Sequence, residues 1–117
     1  MRYNITYNQL ALVEYNQSQT EEFQLDCIDG IILQQLFWLR EWEGVQTIKL
    51  ADGIYFWVAY KKLISELPTI GIKSNDGLSR RIKRKLVRTG LIKLHVKKDD
   101  NSKTYWQFTN KGLKVVA

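Results

Sequence analysis

Between Ser74 and Gly90 three apolar residues, Leu78, Ile82 and Leu86, recur at every fourth position in a segment that is otherwise mostly basic or small. That spacing lines them up along one side of a helix. Ser74 suits the N-cap, and Gly90 suits the left-handed residue that stops a helix. The pattern therefore predicts a helix over 74–89 with its apolar side on a core. Asp76, Gly77, Arg80, Lys83, Arg84 and Val87 then point outward, with Ser79, Arg81, Lys85 and Arg88 on the flanks. The rest of the chain has to supply the core. It has 117 residues, 44% of them apolar, with four Trp, six Tyr and four Phe. That is enough for one domain and too hydrophobic for disorder.

Other elements follow from the same reasoning. Tyr3, Ile5 and Tyr7 alternate with polar neighbours, as in a short edge strand over 2–7. Asn8 is placed to cap a short helix over 9–15, and 16–20 reads as a connection. Asp26 is a fitting N-cap for a long helix over 27–42, with Asp29 in its first turn. Ile28, Ile32, Leu36 and Leu39 form its apolar stripe, widened by Ile31, Trp38 and Trp42. The runs 47–50 and 54–58 flank Ala51-Asp52-Gly53, a hairpin signal. Tyr60, Leu63, Ile64 and Leu67 predict an amphipathic helix over 59–67, ended by Pro68. After the basic helix, 91–96 and 104–109 are β-rich on either side of a polar tip containing Lys97, Lys98, Asp99, Asp100 and Lys103. Asn110-Lys111-Gly112 closes that strand, leaving 113–117 as a tail.

Assembled, this is an α+β chain of winged helix-turn-helix type: a three-helix core with two β-hairpins and a short N-terminal extension. Residues 1–24 are the extension, 25–112 the domain and 113–117 the tail. The aromatic residues of the strands, Phe56, Trp57, Trp106 and Phe108, are expected in the core, with stacking on single strands as the secondary reading.

Charge is segregated along this order. Residues 1–43 sum to −5 and residues 44–117 to +11, and Gly71 to Lys98 holds ten basic residues against one acid, Asp76. A solvated helix usually mixes signs to gain pairs one turn apart. A one-signed face fits a polyanion, with the same lysines and arginines as ordinary solvating groups the bland alternative. A helix fits the B-DNA major groove, about 12 Å wide, and the following hairpin reaches the adjacent backbone. Base edges are met by the first part of such a helix, which makes Asn75, Ser79, Arg80 and Lys83 the candidates for direct readout. For Asn75 and Asp76, first-turn capping is an equal alternative. Arg81, Arg84, Lys85 and Arg88, with Lys97, Lys98 and Lys103 on the wing, are the phosphate candidates.

Enzyme signatures are absent. His95 stands alone, and there is no phosphate-cradling glycine motif, nucleophile elbow or metal-ligand spacing, so neither catalysis nor a cofactor or metal is expected. Cys27 has no partner for a disulfide and is expected to be a small buried hydrophobe in a reducing cytoplasm. No run of residues is long and apolar enough for a membrane.

Three stretches, LDCIDGIILQQLFWL, DGIYFWVAYKKLISELPTIGIKSNDGLSRRIKRKLVRTGLI and KTYWQF, resemble the winged-helix domain of phage replisome organisers and DnaD-like replication initiation proteins. The likeness covers about Leu25 to Phe108. It implies a module that binds origin DNA or its own gene region and helps gather replication proteins, carried here by Ser79, Arg80, Arg81, Lys83 and Arg84. The longer members have a C-terminal helical domain for which this chain leaves no room, and a small phage or plasmid regulator fits equally well. The expected partner is double-stranded DNA, with a homodimer through the N-terminal strand and helix, and replication proteins, as further expectations. The competing reading is a protein-interaction module without DNA contact, its acidic N-terminal third docking on a neighbour's basic face.

Overall fold

The computed structural model describes residues 5–99 and 103–116. Among them are five α-helices and one four-stranded antiparallel sheet, an α+β architecture. The helices are α1 Gln9–Gln17, α2 Cys27–Leu39, α3 Tyr60–Glu66, α4 Asn75–Ile82 and α5 Asn110–Val116; the strands are β1 Gln46–Leu50, β2 Gly53–Trp57, β3 Ile92–Lys97 and β4 Lys103–Phe108. Locally encoded stops and starts are realised. The Asn8 side chain accepts from the Ala11 N–H at 2.9 Å. Asp26 and Asp29 close a capping box at the start of α2, and the Ser74 hydroxyl accepts from the Gly77 N–H at 3.0 Å. Leu67, ahead of Pro68, leaves helical geometry at φ −126°, and Gly90 turns left-handed at φ 81°.

The strands run in the order β1-β2-β4-β3. Ala51 and Asp52 make the tight turn between β1 and β2, with Leu50 opposite Gly53. Phe56 pairs with Trp106, and Trp106 with Leu94, so these side chains share one face. On that face Phe56, Ile92, Trp106 and Phe108 join Ile32, Leu33, Leu36, Leu39, Leu63, Leu78, Ile82 and Leu86 in a single core. The opposite face carries Trp57, Tyr105 and His95 in register. No helix covers it. Tyr55 and Tyr105 are nonetheless buried there, because Tyr55 donates to Asp52 at 2.9 Å and Gln46 donates to the Tyr105 hydroxyl at 2.9 Å, closing a polar rim around the rings.

Some expectations need correcting. Residues 5–8 have no regular structure, so the strand over 2–7 is not formed in its described part, and residues 1–4 lie outside the described residues. Ile5 and Tyr7 pack on the core instead. Helix α2 stops at Leu39, and Trp42 is 47% exposed. Cys27 is exposed, because the first helical position faces away from the core. The helix over 74–89 is regular only to Ile82; Lys83–Val87 form a wider π-type turn in which the Arg88 N–H donates to the Lys83 carbonyl at 3.0 Å. The Thr89 hydroxyl bonds back to the Lys85 and Leu86 carbonyls there.

Neither α1 nor α5 is an appendage. Leu12 of α1 is 5% exposed and belongs to the core, so packing does not break at residue 25. Residues 110–116 form a helix rather than closing a strand. Thr109 caps it, its hydroxyl accepting from the Gly112 N–H at 3.0 Å while donating to the Gly90 carbonyl at 2.7 Å. Val115 and Val116 are buried. A methyl group on Gly112 would run into the Leu91 backbone carbonyl, which cannot swing aside as a side chain can. Gly112→Ala is expected to cost about 2 kcal/mol, read as a lower urea midpoint at unchanged slope; a midpoint equal to the parent's refutes this close packing.

Candidate nucleic-acid interface

Helix α4 buries Leu78 and Ile82, and the π-type turn keeps Leu86 on the same side. Charge is thereby forced outward. Arg80, Lys83 and Arg84 are exposed, and none forms an ion pair among the described residues. The Arg80 Nε donates to the Asp76 carbonyl at a long 3.4 Å. With Ile72 and Gly77, Arg80, Arg81 and Arg84 border a shallow concavity of ≈ 260 Å³.

Arg81 is used differently from its neighbours and drops out of the phosphate set. Its Nη2 donates to Asp26 at 2.6 Å and its Nε to Asp29 at 2.9 Å. Asp29 is fully buried. Burial pushes the Asp29 carboxyl above its ordinary range, overcoming the Asp26 N–H and Arg81 that pull it down. Burial also acts on the outer partner, Asp26, but hydrogen bonds from Arg81 and the Asp29 N–H hold it below the usual carboxylate range. The guanidinium is itself raised, against the cost of burial, by both carboxylates. This arrangement fixes α4 against the start of α2.

Two further phosphate candidates also have partners within the chain. Lys85 donates to the Gln24 carbonyl at 3.0 Å. Arg88 meets Glu22 at 2.6 Å and lies over the Phe23 ring at 4.7 Å, although both side chains of that ion pair remain half exposed. Part of the charge segregation is thus satisfied internally, the acidic third of the chain meeting the basic stretch within one molecule.

Ser79, on the flank, is half-buried. Its hydroxyl and that of Thr104 neighbour the buried Tyr60 hydroxyl, whose pKa is raised by burial and pulled back by both. Asn75 is exposed, at the edge of a cleft of ≈ 250 Å³ that also reaches Lys103 and Thr104 on β4. On the hairpin, Lys97 pairs across from Lys103, Lys98 is exposed, and Lys103 donates to Gln46 at 3.3 Å. Asp99 is exposed and Asp100 lies outside the described residues. Arg80, Lys83 and Arg84 are therefore exposed along α4 and the π-type turn, whereas Asn75 stands at the cleft that also reaches Lys103 on the hairpin. Lys61, which lines that cleft, escaped the sequence reading; the only signal was its place at the start of the helix preceding α4.

Among the described residues no group of His, Cys, Asp and Glu is placed to hold a metal ion, and no helix is long and apolar enough to cross a membrane. The chain matches no protein-family model, no curated protein and no solved structure.

Proposed function

We propose that this protein binds double-stranded DNA in the manner of a winged helix-turn-helix, with α4 in the major groove and the β3–β4 hairpin on neighbouring backbone, in replication initiation or transcriptional regulation of phage or plasmid type. One observation carries the reading: Arg80, Lys83 and Arg84 project from a helix clamped from behind by Arg81, and none has a carboxylate partner among the described residues. Unpaired guanidinium groups on a rigid rod are what a groove edge and its phosphates require. The resemblance to replisome organisers points the same way. Leu10 and Val13 of α1, 67% and 48% exposed, offer surface for a second copy, and replication proteins are the other partners in this proposal.

A duplex titration at several salt concentrations tests it. With Arg80, Lys83, Arg84 and a hairpin lysine on phosphates or bases, log affinity should fall against log salt with a slope of roughly −3 to −4. Absence of duplex binding at low salt overturns the proposal and favours the protein-interaction reading.

A further inference from the structure

Away from the outward face of α4, Trp42 and Trp57 border an open, largely apolar trough of ≈ 320 Å³ whose walls include Leu39, Val45 and Val58. Trp57, Val58 and Ala59 also line the cleft that reaches Asn75, so the two concavities share a wall. Among the described residues every charged one lining them is a lysine: Lys62 in the trough, Lys61 and Lys103 in the cleft. Each tryptophan carries one of these ammonium groups on its ring. Lys62 Nζ lies 4.0 Å from the Trp42 centroid and Lys103 Nζ 4.5 Å from that of Trp57. The Glu66 carboxylate stands at 4.0 Å from Lys62 and already accepts a hydrogen bond from Gln35 at 3.2 Å. Trp42 is held in plane by stacking on Trp38, at 6.1 Å and 20°.

A flat ring with an ammonium group at contact distance offers both halves of what a nucleotide presents, a base face and a phosphate. Duplex DNA cannot use it, because its base faces are already stacked on one another. An acidic peptide would satisfy the lysines but not two ring faces. We propose that this trough takes an unpaired nucleic-acid strand, with bases moving onto Trp42 and Trp57 while Lys62 and Lys103 swing from the rings to the phosphates. The site is separate from Arg80 and Arg84, and the inference does not depend on the duplex reading.

The test uses a short oligo(dT) and a blunt duplex, titrated against the whole chain by tryptophan fluorescence and by anisotropy. Trp42→Ala removes a half-exposed ring and, in the folded variant, is expected to weaken oligo(dT) binding roughly tenfold while leaving duplex affinity unchanged. Arg80→Ala with Arg84→Ala is expected to do the reverse. Oligo(dT) that binds Trp42→Ala as tightly as the parent overturns the proposal. So does an equal loss on both nucleic acids, or no oligo(dT) binding at low salt, which would assign the trough to an acidic protein segment.

Discussion

Replacing Arg80 and Arg84 together by alanine is expected to weaken duplex binding roughly a hundredfold, the summed effect of one base contact and one phosphate contact. Both side chains are exposed and neither forms an ion pair among the described residues, so the variant should melt with the parent. The two positions should also differ in kind. Arg80 lies on the first half of the helix, where base edges are met, so its loss alone should flatten preference among sequences. Arg84 lies on the π-type turn, and its loss alone should weaken all sequences alike and make the salt slope shallower by about 1. Competition among a small panel of duplexes separates them; identical profiles for the two single variants would end the proposed division of labour.

Arg81, one residue along, should behave in the opposite way. Arg81→Met leaves the fully buried Asp29 without its cation, and a stranded buried carboxylate costs about 3 kcal/mol or more. The melting temperature should drop by on the order of 10 °C, while the fraction that stays folded keeps its affinity for duplex DNA. A double-mutant cycle isolates the pair: in an Asp29→Asn background, where the stranded charge is gone, Arg81→Met should cost clearly less. Equal costs in both backgrounds would show that Arg81 acts through packing of its stem alone.

These two neighbours mark what the sequence could and could not tell. The side of α4 that faces the core was legible because Leu78, Ile82 and Leu86 repeat with the helix, and the caps Asn8, Asp26 and Ser74 were legible because each bonds within three residues of itself. Arg81 looked like one more basic flank residue. Its partners lie more than fifty positions earlier in the chain, and nothing local distinguishes a paired guanidinium from a free one. The same holds for Arg88 with Glu22. Thr109 is an intermediate case: a cap before Leu113, Val115 and Val116 could have been read as a helix start, but Gly112 disguised it. That glycine is there for close approach to Leu91, a contact made only in the folded chain. Trp42 and Trp57 were read as core, and their placement beside a trough depends on where α2 ends.

Cys27 is the chain's single thiol and stands exposed at the first position of α2, next to the Asp26 that grips Arg81. One maleimide-coupled dye therefore labels every molecule at one defined place, near the root of α4 but off its outward face. Energy transfer from that dye to either end of a labelled duplex would give the polarity with which the protein lies along its site, without engineering a single residue.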